Sequence, residues 1–360
     1  MIAYGSWVIQ NFHNILIGAI GVGCVIAFHE LGHFLFCKLF NVHTPIFSIG
    51  FGPRLINKKI GETTFSLSLI PVGGYVEAEM GQTPGLPDNR NMEKKPYWQK
   101  MCIACGGILF NLIFAYVILL GLSITGIPSN PFLMQQGTYA IKKFAIDSPA
   151  LQAGLQPGDK LMKINQTPVS ENISQLFQAL EPLANQPVQV TIDRAGSEKT
   201  FQFTLAARKV KNKEVGALGI EEFLFPSLPP LSFSQACLQA LSITHKLISS
   251  TVSGLLHAFQ KKSAQSFSGP LMMISLTIAS ISQGIKLFFI FLTVISVSLA
   301  VLNILPLPIL DGGRIFTLTV EAIIRRPLPE KFTAAMHYAS VILMIFLFIY
   351  LTVKDVKDLL

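Results

Sequence analysis

Four stretches of the chain are apolar almost without interruption. They cover residues 15 to about 40, about 101 to 127, about 285 to 305 and about 335 to 353. Each is near the ~20 residues that a helix needs to cross the hydrocarbon core of a bilayer. Pro128 and Pro131 close the second. The first is too long for a signal-peptide core, has no basic segment before it and contains ionisable residues, so it is read as a retained span. Between residues 44 and 80 the pattern changes. Phe65, Leu67 and Leu69 alternate with Ser66 and Ser68, the period of a strand. Gly73 and Gly74 then permit a tight turn. This predicts a β-loop at the membrane, with a plain cytoplasmic hairpin as the alternative.

A third pattern fills the middle. Pro157-Gly158-Asp159 reads as a turn, residues 161 to 165 as a strand, and "PVQVTIDRAG" with "KTFQFTLAAR" as a hairpin pair, so a small β-rich domain is expected from about 138 to 208. The following "LSFSQACLQALSITHKLISSTVSGLLHAF" has helical spacing with few charges and predicts an amphipathic helix. The expected division is residues 1–127 for the first two spans and the β-loop, 128–210 for the inserted domain, 211–284 for the amphipathic connection and 285–360 for the last two spans. The fold class is a polytopic α-helical membrane protein with four transmembrane helices, a membrane-associated β-loop and an inserted β-rich domain.

Composition agrees. Only 13% of the 360 residues are charged and 51% are hydrophobic, against about 25% charged in soluble domains. The net charge of +8 bears on topology. Lys38, Arg54, Lys58, Lys59, Arg90, Lys94, Lys95 and Lys100 connect the first two spans, and Arg314, Arg325, Arg326 and Lys331 connect the last two. Cationic short connections stay in the cytoplasm, which puts the inserted domain and both termini outside. No basic run suits a nucleic acid, so none is expected as a partner. The five cysteines are scattered; Cys102 and Cys105 form a lone C-x-x-C, read as membrane-helix packing.

The candidate chemistry sits inside the first span, as His29-Glu30-Leu31-Gly32-His33. On a helix the two histidines, four residues apart, project from one face and can share an ion. Glu30 lies beside that ion, placed to take a proton from water. Ionisable groups in a span need partners, and a helix–helix hydrogen-bond cluster is the structural alternative. A catalytic zinc site wants three protein ligands and one open position. Asp311, in "NILPLPILDGG", is the carboxylate near a membrane segment outside the first helix. Pro306 and Pro308 break the helix there, so the same acid could be a cap or a solvated turn. His13, His43, His245, His257 and His337 lack ligand spacing.

Together these motifs resemble the site-2 protease family of intramembrane zinc metalloproteases, in its RseP-type branch. HELGH, "FSIGFGP", "PVGGYV" and the N-x-x-P-x-P-x-L-D-G-G run carry the likeness, with Gly107 and Asn111 of the second span and "SGPLMM" at 268–273. The run "AGLQPGDKLMKIN" makes the inserted domain similar to a PDZ domain. The resemblance implies one catalytic Zn2+ on His29, His33 and Asp311, with Glu30 as acid/base. It implies substrate contacts at Asn111, Asn303, Pro306, Gly73 and Gly74, and a β-loop that pairs with an unwound substrate helix. It further implies a bacterial inner-membrane enzyme, its active site toward the cytoplasm and its PDZ-like domain on the periplasmic side. Its substrates would be single-span, anti-sigma-factor-like proteins and remnant signal peptides, with a peptide at the PDZ-like domain as a further partner. Two features depart from the branch: Ile108 stands where a proline is usual, and there is room for one PDZ-like domain rather than two. Two other readings remain open at this level. A non-catalytic, PDZ-containing membrane adaptor needs no intact histidines and acids, and a metal transporter needs further ligands along a path.

Overall fold

The computed structural model describes residues 12–79, 87–128, 130, 133, 140–169, 173–210, 213–224, 227–260 and 269–359. Pro131 and Ser268 fall outside these residues. The chain forms two compact units, the first made of the chain up to Gly121 and from Phe233 onward, the second of Leu122–Ser232.

In the first unit, α1 (Phe12–Leu39) is followed by a hairpin of β1 (Ile46–Ile60) and β2 (Thr63–Glu77), then by α2 (Tyr97–Thr125). Small residues set how close the helices come, as membrane helices require. Gly32 and Gly106 face each other so tightly that a Cβ on either would strike the other's backbone carbonyl. Within β1, residues 46–49 are bonded on both sides, to 64–67 and to 74–77. The rest of β1 pairs with β2 across the Gly61-Glu62 turn. Arg90 grips the Glu62 carboxylate with both guanidinium nitrogens and pulls it down to about 2. That grip ties the hairpin tip to the chain leading into α2.

The period-two reading of β2 holds, and the serines take the inner face. Ser66 and Ser68 are buried while Leu67 and Leu69 are exposed. Ser66 Oγ donates to Asn57 Oδ1 at 2.8 Å, and the hydroxyls of Ser48 and Ser68 lie 3.4 Å apart. The hydroxyls satisfy one another inside, and the leucines join the apolar exterior of a chain that spans a membrane.

The second unit holds β3 (Ala140–Phe144), α3 (Pro149–Gln152), β4 (Lys160–Ile164), β5 (Thr167–Pro168) and α4 (Ile173–Leu180), then β6 (Pro187–Arg194), β7 (Ser197–Thr204), β8 (Ala206–Val210), β9 (Lys213–Ala217) and β10 (Ile220–Leu224). The sheet order is β10-β3-β4-β6-β7 with β5 on β4, and β8 pairs with β9. Leu155, Leu161, Ile164, Val190 and Ile192 centre its core. The Pro157-Gly158-Asp159 turn is closed by Arg194, whose Nε donates to Asp159 Oδ1 at 2.7 Å. Burial alone would raise that carboxyl; the Arg194 fork outweighs it and holds it below its usual range. The unit runs past the boundary expected at residue 210. β10 returns to pair with β3, and Ile127 and Leu228 bridge the two ends of the insertion.

Back in the first unit come α5 (Phe233–Gln260), α6 (Pro270–Ser282), α7 (Ile285–Asn303), α8 (Asp311–Ile324) and α9 (Glu330–Leu359). Four helices are long and apolar enough to cross a membrane: α1, α2, α7 and α9. α7 is the most buried of them and α9 the least. Asp355 and Ser340 are the exceptions among the described residues of α9, and Asp355 is the more buried. At 2% exposure its carboxylate accepts from Gly269 N at 3.0 Å and Met272 N at 2.9 Å. It therefore caps α6, satisfying amides that a helix N-terminus leaves unpaired. Asp355→Ala is expected to cost about 1 kcal/mol and to speed hydrogen exchange at the first amides of α6. Unchanged exchange there would refute the capping role.

Candidate active site

The HELGH run lies within α1, and its two histidines share a face. Asp311 arrives from the other end of the chain. After α7 the backbone turns through residues 304–310, with Leu307 N on Leu305 O at 2.7 Å and Leu310 N on Leu307 O at 2.8 Å. Asp311 is the first residue of α8. Gly312 and Gly313 let that helix start directly against the turn, since a Cβ on either would strike the carbonyls of Ile304 or Leu307. Proline-rich turn and glycine pair together aim the carboxylate at α1.

The three side chains converge. His29 Nε2 is 3.2 Å from Asp311 Oδ2, His33 Nε2 is 3.3 Å from Asp311 Oδ1, and the two Nε2 atoms are 3.3 Å apart. Ligand atoms about 2.0–2.1 Å from a zinc ion in tetrahedral geometry stand about 3.3 Å from one another. Asp311 Oδ2 is buried without a hydrogen-bond partner, as suits an atom kept for a cation. His33 Nδ1 lies 2.7 Å from the carbonyl of Ile103. Donating its proton there leaves the Nε2 lone pair on the side of the other ligand atoms. Gly107 completes the cradle, because a Cβ at that position would overlap both imidazoles. The donor set fits zinc, with three protein ligands. It is the only such group of histidine, cysteine and carboxylate side chains among the described residues; a transport path would need more.

Glu30 faces the same space. The backbone N–H of Val76, in the last segment of β2, approaches its carboxylate. A Cβ on Gly74 would lie 3.2 Å from Glu30 Cγ. The hairpin thus reaches Glu30 through its backbone. A cavity of about 310 Å³ opens here, walled by His29, Glu30, His33 and Asp311 and by Tyr75, Val76, Asn303 and Arg314, among others.

The expected substrate-contacting residues divide. Asn303 lines the cavity and Gly74 borders it through Glu30. Gly73, at φ 111°, has its α-hydrogen side filled by the Phe51 ring and serves the hairpin's own packing. Pro306 is exposed in the turn before α8 and takes no part in the wall. Asn111 is fully buried behind His29, with Nδ2 3.2 Å from Nδ1, and is likewise outside the wall. A contact with substrate is thus not what its position offers. Sequence reasoning overlooked Ile103, Val76 and Arg314. The first two act through backbone groups, which no residue type announces. Arg314 was legible, since it follows Asp311 by three residues and so shares its helix face.

Similarity to known proteins runs along most of the chain. The model of peptidase family M50 matches residues 17–347. A Synechocystis protein named as a zinc metalloprotease is 30% identical, with 95% of this chain and 94% of the relative covered. A Clostridium perfringens protein of the same description is 28% identical over 95% of this chain and 98% of its own. A chloroplastic Arabidopsis thaliana protein named as a membrane metalloprotease is 26% identical over 99% of this chain and 83% of its own. The three converging side chains, Glu30 beside them, the four apolar helices and the family match along nearly the whole chain leave no place for the adaptor reading. This chain belongs to peptidase family M50, the site-2 protease family, and is a multi-pass membrane zinc metalloprotease.

Proposed function

We propose that this enzyme is an intramembrane endopeptidase of the RseP type. It cuts single-span membrane proteins, and remnant signal peptides, from an active site toward the cytoplasmic side of a bacterial inner membrane. The observation that carries this is that the Gly74–Val76 segment borders Glu30 at the same cavity. Residues 74–77 pair with 46–49 on one side, and their other side meets the acid/base. A substrate segment added to that edge as a strand would lie across the metal centre. Such addition solves a physical problem: a helical peptide bond is shielded by its own hydrogen bonds, and an opened one needs new backbone partners inside a bilayer.

When bound, the ion polarises the scissile carbonyl and lowers the pKa of water. Glu30 takes a proton from the attacking water and returns it to the departing amine. Asn303, on the cavity wall, is placed to hold the substrate backbone. The charge of the α1–α2 and α7–α9 connections supports the cytoplasmic placement of the site. The Leu122–Ser232 unit, outside, is proposed as a single PDZ-like domain that binds a peptide end or restricts access.

The test uses purified full-length enzyme in lipid vesicles with a labelled single-span substrate. Cleavage is expected within the apolar segment. Changing a Leu beside the cleaved bond to Gly lowers the cost of unwinding by about 1 kcal/mol and should raise the rate about fivefold. Cleavage confined to soluble proteins, with every single-span substrate intact, would overturn the proposal.

A further inference from the structure

The imidazole of His29 presents its two nitrogens to different neighbours. Nε2 points to Asp311 and His33, Nδ1 to the side chain of Asn111. That side chain is fully buried, and its Oδ1 has no hydrogen-bond partner. Its own backbone carbonyl accepts from Ser296 Oγ at 2.7 Å. The α2 turn that carries Asn111 is thereby pinned to α7, the helix that leads to Asp311.

A neutral imidazole has one proton. Ligation of an ion through Nε2 leaves that proton on Nδ1, where it needs an acceptor. The amide nitrogen is a donor and cannot serve. The amide group is planar with ends of nearly equal size, so a half-turn about its last bond exchanges them in the same space. The half-turn brings Oδ1, which has no partner as placed, to the Nδ1 proton and gives that buried N–H its acceptor. We propose that Asn111 is a positioning residue of the metal centre: its amide oxygen accepts from His29 Nδ1 and holds the ring with Nε2 on the ion. His33 receives the same support from the Ile103 carbonyl. An amide does one thing a carbonyl cannot. Turned the other way, it donates to His29 in the tautomer protonated on Nε2, so the pair stays hydrogen-bonded whether or not the ion is held.

This inference rests on the zinc reading of the site and is independent of which peptide is cut. It is therefore tested by metal retention. Zinc-loaded full-length protein in detergent is titrated with a chromophoric chelator, as wild type, Asn111→Leu and Asn111→Asp. Leu has no acceptor, and zinc should be given up about 10–100-fold more readily. Asp offers acceptors only and should hold zinc at least as tightly as wild type. Wild-type retention in Asn111→Leu, with hydrolysis reduced, would assign the residue to substrate and overturn the proposal. Zinc lost about tenfold more readily from Asn111→Asp would overturn it as well, and that variant decides the matter if the Leu form does not fold. The nitrogen resonances of 15N-labelled histidine give a readout that simple packing would not move. The zinc-loaded enzyme should show His29 protonated on Nδ1, and a bare Nδ1 would refute the bond.

Discussion

Glu30→Gln is expected to lower peptide hydrolysis by about 10²–10⁴-fold, the usual contribution of a positioned acid/base, while one zinc ion per chain is retained. Glutamine has nearly the shape of glutamate, so the hairpin stays where it is. It is not among the three side chains proposed to hold the ion, His29, His33 and Asp311. What it loses is the ability to take a proton from water and return it to the amine. Cleavage of a labelled single-span substrate and metal analysis of the same preparation read the two halves of this expectation. Undiminished cleavage would remove Glu30 from the chemistry. Loss of zinc alongside activity would mean that the residue helps to hold the ion.

The second large effect is expected from a residue with no side chain. Gly107→Ala places a methyl group where the His29 and His33 rings now stand. Either the rings turn away from Asp311 or α2 backs off from α1, where the Gly32–Gly106 contact resists separation. Overpacking of this kind costs about 1–3 kcal/mol. Taken from metal binding, that weakens zinc affinity by about 5- to 150-fold, with hydrolysis at limiting zinc falling in step. Chelator competition measures the first and a zinc titration of the rate the second. Helix content by circular dichroism should not change, since Ala favours helix over Gly. Zinc affinity equal to wild type would show that the space beside the imidazoles is not needed.

The spans were legible because lipid asks for one thing over a whole turn-by-turn stretch, and 20 apolar residues in a row say it. The β-loop was legible in its period. Its sidedness was not, because alternation tells which residues share a face and leaves open which face is inward. In water Leu67 and Leu69 would have gone in; here the serines did, since hydroxyls can satisfy one another inside. The connection between the last two spans hid α8, a 14-residue helix whose amphipathic run is too short to stand out among apolar neighbours. The end of the inserted unit was hidden for another reason. Residues 220–224 look like any short strand, and their partner β3 lies some eighty residues earlier.

The metal centre divides along the same line. The sequence by itself determined the chemistry available: two histidines and a glutamate at helical spacing, and a distant aspartate beside helix-breaking prolines and a glycine pair. It also carried the family likeness that named their roles. Only the tertiary structure decided that His29, His33 and Asp311 stand about 3.3 Å apart with a cation-sized space between them. It alone brought a β-strand N–H to Glu30, cleared room at Gly107 and set Asn111 behind His29. The physical reason is range. Ligation and hydrogen bonding act over about 2–3 Å, and their partners here include backbone atoms and residues up to 282 positions away. Spacing along a chain can propose such contacts only within one helix, where four residues make a turn.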